Sequence, residues 1–261
     1  MIDHARLRAV MAQAGAIAMA QWPGESGGAN PLDVWEKSPN NPVCSADLAV
    51  NAFLREELTR LLPAAGWLSE ETADSPDQRE GTLIWLVDPI DGTRDFIHGR
   101  PGWAVSVALI SAGRPLLGML TAPARNEIWE ARAGQGATLN ALPIVASRRD
   151  RLAGARVPAR VLPHEDADLI MVEQPNSIAL RIAMVADNRA DLVATLRWGF
   201  EWDIGAAALI AREAGAAVSD AFGQTVGYNK ADPRAFGVVV CAPALHGAAV
   251  ERLAERAARL V

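Results

Sequence analysis

The stretch Trp85-Leu86-Val87-Asp88-Pro89-Ile90-Asp91-Gly92-Thr93 decides how this chain is read. The apolar run from Leu83 to Val87 has the composition of a buried strand, and it stops at an acid, a proline, a second acid and a glycine. Two carboxylates are thereby delivered to one strand end. Pro89 fixes the turn after Asp88, and Gly92 lets the backbone approach a ligand with no Cβ in the way. If Thr93 opens a helix, the amides of Gly92 and Thr93 favour an anion in the space the acids face. Carboxylates and an anion repel each other unless cations lie between them, so the pattern points to a divalent metal site that receives a phosphate. Ligands made only of oxygen suit Mg²⁺, which keeps several waters and completes its shell with substrate phosphate. The plain alternative is a surface turn, because Asp, Pro and Gly are turn formers. The rest of the chain decides between the two.

Composition narrows the field. With 261 residues, one large domain or two intimately packed ones are expected. Half the residues are hydrophobic and 21% are charged, as in an ordinary globular protein. The net charge of −6 comes without a basic run, so neither a nucleic acid polymer nor an anionic membrane is expected as partner. No apolar run reaches the ~18 residues of a membrane span and the start lacks the order of a signal peptide, so the expected location is the cytoplasm. Cys44 and Cys241 are too few for a disulfide framework or a zinc site.

Taken in order, apolar spacing predicts a helix over residues 4 to 21, ended by the Gly-rich stretch Pro23 to Asn30. Lys37 to Asp47 reads as a polar loop feeding a second helix, Ser45 to Leu61, with Asp47 in its first turn, where an acid is stabilised by the dipole. Asp47 could equally aim at a metal. Trp67 to Ser69 is a short strand that ends in Glu70 and Glu71, followed by a polar loop to Gly81. If this strand neighbours 83 to 87, Glu70 and Asp88 end side by side, which is costly without a cation. Trp103 to Ile110, Pro115 to Thr121 and Glu127 to Ala133 read as an antiparallel meander, and His98 before them as a surface residue. From Asp150 strands alternate with helices: Ala155 to Leu162, Leu169 to Glu173, a helix near Ser177 to Asp187, then Leu192 to Leu196. The expected division is 1–145 and 146–261. Asp203 follows two aromatics at the mouth of an Ala-rich helix closed by Gly215, and read locally it is the N-cap. A strand Phe236 to Ala242 and a helix Leu245 to Leu260 finish the chain.

With Glu70, Asp88-Pro89-Ile90-Asp91-Gly92-Thr93 and Trp202-Asp203 in view, the chain resembles the inositol monophosphatase superfamily of Mg²⁺-dependent, lithium-sensitive phosphatases. The resemblance spans nearly the whole length. It implies an α/β fold layered α/β/α/β/α, with Glu70, Asp88 and the Ile90 carbonyl on one Mg²⁺ and Asp88, Asp91 and Asp203 on a second. A third ion would lie near Glu70 and Asp47. Thr93 and Asp47 resemble the pair that orients and deprotonates the attacking water, and Gly92 and Thr93 the amides that hold phosphate. Within the superfamily the chain is most similar to bacterial 3'(2'),5'-bisphosphate nucleotidases, through Lys37, Pro42-Val43, Leu68-Ser69-Glu70-Glu71 and Gly113-Arg114-Pro115. That likeness implies the 3'-phosphate of adenosine 3',5'-bisphosphate as substrate and a place in sulfur metabolism. The in-family alternative is inositol monophosphate or another polyol phosphate. On the substrate side it implies Asp91, Asp203, Ser177 and Arg181, the last meeting a second phosphate. A homodimer is implied as well. Inositol-directed members carry a glutamate where Leu196 stands; Cys44 replaces a usual Thr, and Asn176 a common Gly.

Overall fold

The computed structural model describes residues 3–24, 32–39, 41–72, 74–79 and 81–260. Of the segments read above, 25–30, Asn40, Ala73 and Glu80 lie outside the described residues. The helices are α1 (His4–Gln21), α2 (Ser45–Leu61), α3 (Thr93–Ile97), α4 (Ile178–Ala186), α5 (Glu201–Glu213) and α6 (Pro243–Ala258). The strands of the first half are β1 (Val34–Ser38), β2 (Asn41–Cys44), β3 (Gly66–Ser69), β4 (Leu83–Asp91), β5 (Ala104–Ser111), β6 (Arg114–Ala122), β7 (Glu127–Arg132), β8 (Ala137–Leu139) and β9 (Leu142–Pro143). Those of the second half are β10 (Arg156–Pro158), β11 (Ile170–Val172), β12 (Leu192–Ala194), β13 (Trp198–Phe200), β14 (Ala217–Ser219), β15 (Arg234–Phe236) and β16 (Val239–Cys241).

The main sheet has the order β3-β4-β5-β6-β7-β8-β9. β3 lies parallel to β4 with Ser69 opposite Val87, so the residues that follow, Glu70 just past β3 and Asp88 within β4, come side by side. The other pairs are antiparallel, and the expected meander is β5 to β7. Side chains alternate along β4. Trp85 and Val87 join α1 and α2 in one apolar cluster, while Ile84 and Leu86 join α4 and α5 in another. Each such side chain contributes about 1.5–3 kcal/mol on burial. On the far side of α4 and α5 is a smaller sheet, β12-β16-β14. Its Val193 and Val240 face those helices, and its Leu192, Val239 and Cys241 face α6. The layers are therefore α/β/α/β/α.

Helix α5 lies close on the main sheet because small residues line the contact. A Cβ on Gly118 of β6 would meet the backbone oxygen of Ala206 at 2.7 Å, and one on Gly205 would meet Leu86 Cδ2 at 2.5 Å. This approach carries Asp203, two residues before Gly205, toward the strand ends of β3 and β4.

Four local readings are corrected. The stretch read as the Lys37–Asp47 loop is part of an antiparallel hairpin, β1 with β2, that starts before it, with Trp35 opposite Val43. Its strands are mostly exposed, so they lack the alternation that marks a half-buried strand. β4 does not stop at Val87. Its ladder runs on to Asp91, with an irregularity between Asp88 and Asp91 that turns the Pro89-Ile90 segment into a bulge. The strand expected over Phe236 to Ala242 is two strands broken at Gly237, whose φ is +68° and whose added Cβ would meet Thr195 O at 2.3 Å. Asp203 is not the N-cap of α5. Phe200 is, and Asp203 reaches back from the third helical position to accept its amide at 3.0 Å.

Candidate active site

The carboxylates come together where β3 and β4 end and α5 begins. Glu70, Asp88 and Asp203 each offer an oxygen within 4.8 Å of the others. A cavity of about 170 Å³ is lined by these three with Ile90, Asp91, Gly92, Thr93, Arg94, Asn176 and Arg197. Asp88 is 1% exposed, and its Oδ1 accepts only the Ile90 amide, at 3.0 Å, among the described residues. Such crowding shows in the protonation. Burial pushes the Asp88 carboxyl well above the usual carboxylate range, and Glu70, Asp91 and Asp203 push it further. Asp203 is raised likewise, by burial and then by Asp91 and Glu70. Glu70 is met by Lys37, whose Nζ donates to Glu70 Oε1 at 2.7 Å and to Glu71 Oε1 at 2.6 Å.

Asp91 sits beside this group and is turned partly away from it. Its Oδ2 accepts the Ser177 hydroxyl and the Ala179 amide at 2.7 Å, which fastens the start of α4 to the end of β4. Burial raises Asp91 to about 6 in spite of those donors. Ser177, expected on the substrate side, is buried and its hydroxyl is spent on Asp91 and on the Leu180 amide. It positions Asp91 and the first turn of α4. Gly92, with φ +96°, has no room for a Cβ because Gly102 O would lie at 2.7 Å and Ser177 N at 2.9 Å. Its missing side chain makes space for the protein's own backbone, not for a ligand as the turn alone suggested.

Asp47 and Thr93 meet as the resemblance implied. Thr93 Oγ1 lies 3.3 Å from Asp47 Oδ1 and 3.1 Å from the Ile90 carbonyl, and its one hydrogen can serve either. The other oxygen of Asp47 accepts the Cys44 amide at 2.8 Å and the Cys44 thiol at 2.9 Å. Cys44 thus fills a donor role that a threonine hydroxyl would also fill. Burial pushes Asp47 up to about 7, the Cys44 donors offsetting only part of it. Arg181 stands apart from the acids. Its guanidinium donates to the carbonyls of Pro175 at 2.7 Å and Asn176 at 3.0 Å and lines a separate cavity of about 240 Å³ with Arg94, Arg100, Arg160 and His98. Burial, then the nearby Arg197, lowers its pKa, so an anion would be welcome there. Leu196 does not face the acids either. It packs on Phe236 and Ala257 and lines a cavity under α6.

The contact of Lys37 with Glu70 and Glu71, and the arginines around Arg181, escaped the sequence reading. Nothing local to Lys37 says that it reaches glutamates 33 and 34 residues further on. The arginines come from three separate segments. The acid donor set itself, carboxylate oxygens beside the Ile90 carbonyl, consists of the hard ligands a divalent ion such as Mg²⁺ takes, and its unmet charge fits such an ion.

The description of the inositol monophosphatase family matches residues 3–260. The chain belongs to the inositol monophosphatase family. Membership makes it a phosphatase, a hydrolase, in a family that is typically metal-dependent. Three relatives carry three different names. The 3'(2'),5'-bisphosphate nucleotidase CysQ of Escherichia coli O157:H7 is 32% identical over 77% of this chain and 85% of its own. The Nus factor SuhB of Xylella fastidiosa is 34% identical over 72% of each. The inositol-1-monophosphatase of Rhizobium meliloti is 32% identical over 74% of this chain and 77% of its own. Among solved structures, an IMPase of Thermotoga maritima superposes with a TM-score of 0.81 at 25% identity, covering 97% of this chain and 96% of that one. No described helix is long and apolar enough to cross a membrane.

Proposed function

We propose that this phosphatase is a Mg²⁺-dependent 3'(2'),5'-bisphosphate nucleotidase of the cytoplasm, releasing the 3'-phosphate of adenosine 3',5'-bisphosphate. The observation that supports a bisphosphate over a monophosphate is the arginine-walled cavity. It shares Arg94 and Asn176 with the acid cavity, so a substrate seated at the acids can place a second phosphate near Arg181, Arg160 and Arg100. In this reading residues 1–145 supply every acid but Asp203, and residues 146–261 supply Asp203 and Arg181.

Glu70, Asp88 and Asp203 would hold the ions with the Ile90 carbonyl, and Asp91 would join through the oxygen Ser177 leaves free. Bound Mg²⁺ supplies charge neutralisation for the phosphoryl oxygens and Lewis acidity. The chain's own residues do the rest. Thr93 orients a water for attack on phosphorus; Asp47, behind it, takes the proton as the new P–O bond forms and the P–O bond to the sugar breaks. Its pKa of about 7 suits an acceptor working near neutrality. The leaving oxygen takes up a proton from solvent and departs as the hydroxyl of the product, and Asp47 gives its proton back to solvent.

A phosphatase panel with and without chelator tests the metal. Comparing kcat/KM for adenosine 3',5'-bisphosphate and inositol 1-phosphate tests the substrate, and a clear preference for inositol phosphate would refute the nucleotide assignment. Activity that survives both Asp91→Asn and Asp203→Asn would refute the ion placement.

A further inference from the structure

Asn51 joins helix α2 to the turn that follows β3. It is 9% exposed and lies one helical turn past Asp47, on the same face of α2. Its side-chain amide reaches both ends of the turn that carries Glu70 and Glu71. Asn51 Oδ1 accepts the Ser69 hydroxyl at 2.7 Å, and Asn51 Nδ2 donates to the Thr72 hydroxyl oxygen at 3.1 Å. Each end is fixed again from another side. The Ser69 hydroxyl oxygen accepts the Glu71 amide at 3.4 Å, and that of Thr72 accepts Trp67 Nε1 at 3.1 Å.

Alternation along β3 shows what this contact governs. Trp67 packs with α1 and α2, and Leu68 packs with α4 and α5, so Ser69 faces α2 and Glu70 the opposite side, where Asp203 of α5 stands. The pairing of β3 with β4 runs as far as Ser69, and the Glu70 amide adds one bond to the Val87 carbonyl at 3.2 Å. Beyond that point the turn carries two acids toward other acids. The charge of Glu70 raises Asp88 and Asp203, and the same repulsion pushes back on the turn. A tether from α2 that is itself uncharged resists this push without adding to it.

We propose that Asn51 is a positioning residue for the metal site: it clamps the Ser69–Thr72 turn to α2 and so holds the Glu70 carboxylate at Asp88 and Asp203. This rests on the reading of Glu70 as an ion ligand. The clamp also ties the helix that carries Asp47 to the strand end that carries Glu70.

The test uses the full chain, with Mg²⁺ alone as probe in calorimetric titration and thermal unfolding in chelator beside it. Asn51→Leu, similar in volume but unable to hydrogen-bond, is expected to weaken Mg²⁺ binding about tenfold. Thr72→Val, which opens one end of the clamp, should weaken it about fivefold, and Thr72→Ser, which keeps the hydroxyl, should stay within about twofold of the wild type. A leucine variant that melts lower in chelator yet binds Mg²⁺ as the wild type does would overturn the inference, because Asn51 would then serve stability alone. Equal losses in Thr72→Val and Thr72→Ser would overturn it too, and this pair decides the matter if Asn51→Leu does not fold. Glu70→Gln reads the ion placement separately. If it weakens Mg²⁺ binding while the Asn51 and Thr72 variants do not, the clamp fails and the placement stands; if it leaves binding unchanged, the placement fails and the clamp has no ligand to position.

Discussion

Asp88 and Asp191 are the same residue type, 1% and 2% exposed, and they titrate in opposite directions. Burial raises both. At Asp191 it is overcome by Arg156, which donates from Nε at 2.9 Å, from Nη2 at 2.8 Å and from its amide at 2.9 Å, so the carboxyl ends well below its ordinary range. At Asp88 the neighbours are other acids, and the shift goes up. The second half of the chain repeats the Asp191 solution at Asp166, met by Arg256 at 2.8 Å, and at Asp187, met by Arg189 at 2.6 Å. A fold that pairs its structural acids with arginine leaves Asp88 facing other acids. The missing positive charge there has to arrive with a ligand.

The comparison breaks first at Asp88. If Asp88 holds an ion as proposed, Asp88→Asn is expected to lower metal-dependent kcat/KM on the order of 10³-fold or more, because it removes a proposed ligand. In chelator at pH 8 the same variant should raise the melting temperature, since it deletes a buried charge that has no partner. A variant that is inactive and also less stable would mean that Asp88 is structural, like Asp191.

Arg156→Ala probes the other side. It leaves Asp191 buried and unpaired, which for a fully buried pair costs about 3–5 kcal/mol; with the Arg156 side chain 37% exposed, roughly 2 kcal/mol is expected in urea unfolding. Activity should change little by comparison.

pH sharpens the contrast without mutation. Asp88, Asp91 and Asp203 have folded-state pKa values above the ordinary carboxylate value of ~3.9. The folded chain therefore binds more protons than the unfolded one above that pH, and stability falls as pH rises toward and through the raised values, about 6 for Asp91 and about 7 for Asp47. Asp191 has the opposite sign: its contribution is present above the unfolded pKa and lost as pH falls through the lowered one. In chelator the melting temperature should drop between pH 4 and about 7, and Mg²⁺ should remove the drop. A flat profile in chelator would contradict the crowding. The smallest effect is expected at Cys44→Ser, which keeps a donor to Asp47 and should alter kcat/KM by less than about fivefold.

Much of this was legible in the sequence. The α1 and α2 spans and the meander follow from periodicity, and the Glu70–Asp88 neighbourhood needed only that two strands lie side by side. What was hidden depends on contacts distant in the chain. Gly237 divides a continuous apolar run because Thr195 and Ala221 press against it. The β1–β2 hairpin carries too little burial to leave a pattern. Leu196 occupies a position whose neighbours in sequence face the site, yet its side chain belongs to the packing under α6. Periodicity records which face a residue takes, not which cavity that face borders.

Gly118 and Gly205 have a consequence for how finely the ion pocket is gauged. Helix α5 brings one wall of that pocket and the main sheet brings the other, so their spacing is fixed by two hydrogen atoms standing where methyl groups would be. The calibre of the acid cavity is set from the dry side of the helix, by residues that do not line it.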